Sequence, residues 1–338
     1  MKPDPGDFLN CDWGTTSLRL RWVNGADLTI FREIREPMGI KSLHEEAVRT
    51  GANGDARAKI FACCLRKHID KLFRSGPRPS APMPLAISGM ASSTIGWKEL
   101  PYAKAPFALD VVGLQLEELH WDKPPEIGVT WLVSGAATKD EMMRGEESEI
   151  VGLMCSPELA PYRNRCLLIL PGTHSKHVEI LGNAVVNWRT FMTGELFEVL
   201  ARHSLLRASI ELEATPTAPM SPKDRAAFGE GVKCAQEQGL SEGLFRVRTR
   251  AVLGQRPAVE NTWFFSGLLI GAELSGLASQ AGNGPVLLAA ASALAEPYAQ
   301  ALEIIAGESM PWRQVPVEQV ERATIAAHAL LLGNVCSK

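Results

Sequence analysis

Phe8-Leu9-Asn10-Cys11-Asp12-Trp13-Gly14-Thr15-Thr16-Ser17-Leu18-Arg19-Leu20-Arg21-Trp22 runs from one apolar stretch through a short polar turn into a second apolar stretch. Strand-like residues on either side of Gly14 predict a β-hairpin. Gly14 lets the backbone turn sharply and approach a ligand, and the amides and hydroxyls of Thr15, Thr16 and Ser17 can donate to phosphate oxygens. Asp12 stands at the strand's end. A carboxylate there can hold Mg²⁺ directly or through water, because that small hard cation takes oxygen ligands and keeps much of its hydration. An ordinary polar hairpin turn draws on the same residue types. A second stretch, Leu167-Leu168-Ile169-Leu170-Pro171-Gly172-Thr173-His174-Ser175-Lys176-His177-Val178-Glu179-Ile180, again passes from apolar strand through a Gly-Thr turn into strand. Two such units about half a chain apart predict two related lobes, 1–165 and 166–338, facing each other across a cleft and each gripping phosphate with one hairpin.

The composition agrees with a two-domain globular protein: 338 residues, 46% hydrophobic and 22% charged. A formal net charge of −3, with no run of Lys and Arg, gives no footprint for nucleic acid. The segment Met1 to Asp7 lacks the basic and apolar regions of a signal peptide, and no apolar stretch is long enough for a bilayer. The expected location is the cytoplasm, with no membrane partner. Cys11, Cys63, Cys64, Cys155, Cys166, Cys234 and Cys336 are an odd set without paired metal spacing, and are expected to be reduced core residues.

Along the chain, Asp27 to Arg35 reads as a third strand. Asp55 to Phe73 reads as a helix, with Ala58, Phe61, Leu65, Ile69 and Leu72 at helical spacing. The Pro-rich run Ser75 to Pro84 predicts a surface connector that is neither helix nor central strand, leading into a buried strand at Leu85 to Ser88. The loop Gly89 to Lys98 and a strand at Val129 to Ser134 follow. In the second half, Asn187 to Met192 reads as a strand and Thr193 as the N-cap of a helix reaching His203. Thr262 to Leu277 reads as a helix apolar all round, whose Gly267 and Gly271 admit another element closely, in the core or at a subunit interface. Val286 to Ala290 reads as a buried strand. Val317 to Leu332 reads as a helix with Val317, Val320, Thr324, Ala327 and Leu331 on the face that docks on the body, with packing back on the N-terminal lobe left open. Strands, helix, then strands is an α/β order.

With both hairpins in view, the chain resembles the actin, Hsp70 and sugar-kinase superfamily, and within it the 2-dehydro-3-deoxygalactonokinase family. The resemblance rests on Asp12-Trp13-Gly14-Thr15-Thr16-Ser17-Leu18-Arg19, Ser88-Gly89-Met90, Gly96-Trp97-Lys98, Pro101-Tyr102, Met143-Arg144-Gly145-Glu146-Glu147, Pro171-Gly172-Thr173-His174-Ser175-Lys176, Met192-Thr193-Gly194-Glu195-Leu196 and Ser266-Gly267-Leu268-Leu269-Ile270-Gly271-Ala272-Glu273. It implies a two-lobed, actin-like ATPase fold of ribonuclease H-like α/β domains. It also implies ATP and Mg²⁺ as cofactors, and phosphorylation of the terminal hydroxyl of a six-carbon 2-keto-3-deoxy acid in galactonate breakdown. One departure stands out: the family has a Gly-containing turn near the expected adenosine site, and this chain reads Ala289-Ala290-Ala291-Ser292-Ala293-Leu294. Ala restricts the backbone wherever φ must be positive.

Phosphoryl transfer needs positioning, cations for the developing charge, and little covalent help. Asp12 is expected to position Mg²⁺, with Gly14, Thr15 and Thr16 on the phosphates. Gly172, Thr173, His174 and Lys176 are expected on the nucleotide from the other lobe, with Ala291 near the adenosine; His174 and His177 can equally decorate a strand edge. The substrate's carboxylate needs cations, for which Arg144, Lys98 and Arg19 are candidates. Gly89, Met90, Trp97 and Tyr102 are candidates for lining the sugar site, although a Trp beside a Gly-rich loop is more often simple packing. A carboxylate base is to be sought among Asp12, Asp140, Glu146, Glu147 and Glu195, with the 146–147 pair favoured for substrate contact. Glu195 is also a plain helix-start acid. The reading is a kinase for 2-dehydro-3-deoxy-D-galactonate, with a kinase for another 2-keto-3-deoxy acid or an inactive sugar-acid-binding regulator as alternatives. The protein is expected to act on small molecules, with a homo-oligomer left open.

Overall fold

Both hairpins form where the sequence alternates around its Gly-Thr turns. A computed structural model describes residues 6–74, 76–110, 113–212, 220–282, 284–307 and 310–336. Ser75 of the predicted connector and residues 1–5 of the predicted leaderless start lie outside the described residues.

β1 (Phe8–Trp13), β2 (Leu18–Val23) and β3 (Ile30–Glu36) form an antiparallel meander. Helices α1 (Ile40–Thr50) and α2 (Gly54–Phe73) lead to β4 (Met83–Gly89), which is parallel to β1. The short strands β5 (Ala103–Lys104), β6 (Phe107–Ala108) and β7 (Leu116–Glu118) precede β8 (Ile127–Val133), which is parallel to β4. β9 (Ala136–Ala137) and β10 (Met142–Met143) then lead into α3 (Glu146–Met154). The main sheet is ordered β3-β2-β1-β4-β8-β7. Its central strand β1 is almost wholly buried, as a strand covered on both faces must be. Phe61, Leu65, Ile69 and Leu72 of α2 pack with Leu9, Cys11 and Trp13 in one apolar core.

The plan then repeats. β11 (Arg165–Leu170), β12 (Ser175–Leu181) and β13 (Ala184–Phe191) form a second meander, followed by α4 (Thr193–His203). After α5 (Pro222–Val252), α6 (Ala258–Leu274) and α7 (Leu277–Ala281), β14 (Val286–Leu288) joins parallel to β11. α8 (Ser292–Ala306), β15 (Trp312–Gln314), parallel to β14, and α9 (Val317–Cys336) complete the chain. Strand neighbours run β3-β2-β1-β4-β8 in the first half and β13-β12-β11-β14-β15 in the second. This duplicated α/β plan, three antiparallel strands, a helix and then parallel strands, is the two-lobed actin-like, ribonuclease H-like fold. By contacts the chain divides into one unit of residues up to Pro161 with Arg322 onward, and another of Tyr162–Glu321.

Three local readings are corrected. Met83 and Pro84 belong to β4, a central strand, and are not connector. The proline is tolerated because pairing with β1 starts only at Leu85 and the register against β8 shifts between Met83 and Leu85. Thr193 does not cap α4: Met192 is the N-cap, and the Thr193 hydroxyl donates to Glu273. α5, 31 residues long and kinked at Gly239, carries no predicted element because its glycines dilute the apolar pattern. It packs on α6 as closely as Gly267 allows, where a Cβ would lie 2.1 Å from the Phe228 carbonyl oxygen. Cys11, Cys63, Cys64, Cys155, Cys166 and Cys234 are free thiols, and Cys63 is exposed on the surface. Among the described residues no helix is long and apolar enough to cross a membrane.

The last helix delivers a buried polar contact to the first hairpin strand. Asn10 Nδ2 donates to His328 Nδ1 at 2.8 Å, and Arg21 Nη1 donates to Asn10 Oδ1 at 2.8 Å. Burial, together with the Arg21 charge, pushes the His328 imidazole down to about 3. An unfolded chain takes up that proton near its ordinary value while the folded chain refuses it. Stability is therefore lost as pH falls below 6.5, by up to about 4–5 kcal/mol at pH 3 at 1.36 kcal/mol per unit. His328→Gln keeps an acceptor for Asn10 without the titration, so its melting temperature should fall less than that of the wild type between pH 7 and pH 4. Parallel curves for the two proteins would remove His328 as the cause.

Candidate active site

The first turn is held from two sides. Gly14 N donates to the Ser17 carbonyl at 2.9 Å, and Thr15, Thr16 and Ser17 are exposed at the tip. The start of α1 buttresses it: the amides of Ile40 and Lys41 donate to the carbonyls of Gly14 and Thr15 at 3.0 and 3.1 Å. That approach requires Gly39, where a Cβ would stand 2.2 Å from the Thr15 carbonyl oxygen. Strand register sets Asp12 opposite Arg19 on β2 and beside Ser88 on β4. Directly opposed residues interact across the ladder. Burial pushes the Asp12 carboxyl above the usual carboxylate range, against the pull of Arg19 and Arg21 and with a further push from Glu146.

The start of α3 adds more acid. Burial pushes Glu147 and Glu149 each up to about 8, with the charge of Glu146 as the next cause in both and Asp12 contributing at Glu149. Arg19 pulls Glu149 the other way. Asp12, Arg19, Glu146 and Glu149 thus form one electrostatic group. Glu149 was missed in the sequence; its signal was the three-residue spacing from Glu146, which puts both on one helical face. Among the described residues no three His, Cys, Asp or Glu are arranged to hold a metal ion. A half-buried carboxylate with excess acid around it still suits a divalent cation whose other ligands are phosphate and water.

The second turn repeats the buttress. The Glu195 amide at the start of α4 donates to the Thr173 carbonyl at 3.1 Å, and a Cβ on Gly194 would lie 2.7 Å from the Gly172 carbonyl oxygen. Gly172 N donates to Ser175 Oγ at 3.3 Å, leaving Thr173 as an exposed residue of the turn. Beside it lies a pocket of about 160 Å³. Phe197, Leu269, Ile270 and Leu294 make its walls apolar, and Gly172, Thr193, Gly194, Ser266 and Tyr298 complete the lining.

A family model for 2-keto-3-deoxy-galactonokinase matches residues 12–327, a span that contains both turns. The chain belongs to the 2-keto-3-deoxy-galactonokinase family. It is 32% identical over 332 residues to "Probable 2-dehydro-3-deoxygalactonokinase DgoK1" of Rhizobium meliloti (strain 1021), covering 96% of this chain and 97% of that one. It is 30% identical over 306 residues to 2-dehydro-3-deoxygalactonokinase of Escherichia coli (strain K12), covering 88% and 89%. A crystal structure of a protein assigned as a 2-dehydro-3-deoxygalactonokinase, from Sinorhizobium meliloti, matches with a TM-score of 0.72 at 28% identity over 95% of both chains.

Several residues expected at the site of this kinase are placed in other work. Glu147 is fully buried, and its oxygens accept from Gly145 N at 2.7 Å and Ser148 Oγ at 3.1 Å, so it caps the start of α3. Glu146 Oε2 accepts from Arg144 N at 3.0 Å. The Arg144 guanidinium donates to the carbonyl and hydroxyl of Ser92 and lies 4.1 Å from the Tyr102 ring centroid. Trp97 is a core residue, packed edge-on against Trp13 and Trp121, in a segment that Met90 opens with a 3₁₀ turn. Gly89 ends β4 beside Trp13, and Lys98 pairs with Glu117. Asp140 is exposed. Lys176 is buried with its ammonium on the His174 carbonyl at 2.9 Å, while His174 Nε2 meets Glu195 Oε2 at 2.5 Å on the surface. His177 is no edge decoration but is buried against Glu273. At Ala291 φ is −64°, and among the described residues only Leu28 and Asn183 combine a side chain with positive φ. The alanines at 289–291 therefore sit in backbone that does not call for glycine, and the strain expected of them is absent.

Proposed function

We propose that this kinase transfers the γ-phosphoryl group of ATP to the terminal hydroxyl of 2-dehydro-3-deoxy-D-galactonate. The observation that carries the reading is the family match over 12–327, with a buttressed Gly-Thr turn in each duplicated unit inside it. Thr15, Thr16 and Thr173 supply exposed hydroxyls and neighbouring amides for phosphate oxygens. Phe197, Leu269, Ile270 and Leu294 offer the apolar surface that a nucleobase takes. Asp12 would hold Mg²⁺, which when bound neutralises phosphate charge. Arg19, opposite Asp12, adds a fixed cation for charge developing on the transferred group. Glu149, which burial and the charge of Glu146 push up to about 8, is largely protonated at neutral pH and keeps a neutral acid beside Asp12 and Glu146. Arg144 keeps the Ser92 and Tyr102 segments together and frames the sugar-acid site.

The test is coupled ADP release with Mg-ATP and 2-dehydro-3-deoxy-D-galactonate, beside the gluconate epimer and a control without acid. Release that depends on the acid and favours the galactonate form is expected. Release with neither acid would overturn the reading.

A further inference from the structure

Three elements near the second turn, β12, α4 and α8, converge on one buried carboxylate of α6. Glu273 of α6 receives the Thr193 hydroxyl from the start of α4, the Tyr298 hydroxyl of α8 at 2.7 Å, and His177 Nε2 of β12 at 3.0 Å. The Tyr298 hydroxyl also lies 2.9 Å from Ser175 Oγ. Because its single proton goes to Glu273, Ser175 must be the donor in that contact. Ser175 Oγ in turn accepts from Gly172 N, in the turn itself. A directed chain therefore runs Gly172 amide, Ser175, Tyr298, Glu273. Burial and the Glu273 charge push the Tyr298 phenol well above its ordinary value, so it stays a donor. His177 Nδ1 meets the Gln280 amide of α7 at 2.8 Å, and its ring packs on Phe191 at 4.5 Å. Ser175, His177, Thr193, Glu273 and Tyr298 are all buried.

We infer that Glu273 is the positioning residue of the second phosphate turn. It does not line the pocket and acts through residues that do: Thr193 and Tyr298 form part of the wall, and Ser175 orients the Gly172 amide. Fixing α4, α8 and β12 to one acceptor presents the Thr173 face of the turn to phosphate without reorganisation when nucleotide enters. The inference rests on the nucleotide reading above.

Glu273→Leu fills the space and removes the acceptor, stranding three buried donors. Glu273→Gln keeps one oxygen for Thr193 and Tyr298 and donates its amide to His177 Nε2, with the ring proton moved to Nδ1, which faces the Gln280 Oε1. Calorimetry and steady-state kinetics should show Glu273→Leu binding ATP about tenfold more weakly, with the KM for the sugar acid within about twofold of wild type. Glu273→Gln should recover most of the affinity, which a lost packing contact would not predict. Tyr298→Phe, which keeps the ring and cuts the chain, serves if Glu273→Leu does not fold; its loss of ATP affinity should be about threefold or more. Wild-type protein that binds neither ATP nor ADP would overturn the nucleotide reading. Wild-type binding matched by a folded Glu273→Leu, or by Tyr298→Phe where the leucine variant does not fold, would overturn the positioning role alone. Equal loss in the Leu and Gln variants would overturn it too.

Discussion

Asp12→Asn should lower kcat about 10²- to 10³-fold, the usual cost of removing one electrostatic contact from a phosphoryl- or acyl-transfer site, and leave the fold intact. The two halves of that expectation come from the same fact. Burial pushes the Asp12 carboxyl up even though Arg19 stands opposite it, so the ligand-free protein carries this acid at a cost. Asparagine has the same shape and no charge to desolvate, and the hairpin is held by Gly14, Ser17 and the start of α1, none of which uses the side chain. Thermal unfolding at pH 8 should accordingly show Asp12→Asn at least as stable as wild type. Turnover should fall because the position proposed to hold Mg²⁺ loses its charge, and the Mg²⁺ concentration for half-maximal rate should rise. A variant with near-normal kcat and unchanged Mg²⁺ dependence would take Asp12 out of the reaction.

The parts legible in the sequence are those whose signal is local. Gly14 and Gly172 each sit in a turn between apolar runs, and the repeat of that pattern pointed to two related α/β units. α2 was readable from Phe61, Leu65, Ile69 and Leu72 because one face carries the packing. α5 was not, since Gly229, Gly231, Gly239 and Gly243 break the period, although Ser221, Pro222 and Asp224 form a capping box that marks its start. Around the site the failures share a cause. Thr193 looked like a cap because Thr before an acidic first turn usually is one, and its partner Glu273 lies 80 residues on. Glu273 itself is the acid near the end of an otherwise apolar stretch of α6, a residue whose meaning comes only from His177, Thr193 and Tyr298 meeting it in space. Of the adjacent acids Glu146 and Glu147, spacing cannot say which turns inward. Trp97 stood near a Gly-rich loop yet belongs to the core with Trp13 and Phe61.

Glu147→Gln tests that last assignment with a large and unusual sign. A carboxyl that ionises near its ordinary 4.5 in the unfolded chain and at about 8 in the folded one binds more protons when folded across that window. Stability is then fully present below pH 4.5 and falls as pH rises toward 8, by up to about 4–5 kcal/mol at 1.36 kcal/mol per unit. The two hydrogen bonds from Gly145 N and Ser148 Oγ, and the favourable end of α3, lower the cost without cancelling burial and the neighbouring charge of Glu146. Glutamine keeps an acceptor for the Gly145 amide and never ionises. In urea unfolding the wild type should lose stability from pH 5 to pH 9 and Glu147→Gln should lose much less, with the two nearly equal at pH 5. Because Glu147 is fully buried with both oxygens taken by Gly145 N and Ser148 Oγ, kcat of the variant at pH 7 should stay within about tenfold of wild type, far above Asp12→Asn. A collapse of kcat with an unchanged pH profile of stability would return Glu147 to the chemistry and leave the buried placement without its expected consequence.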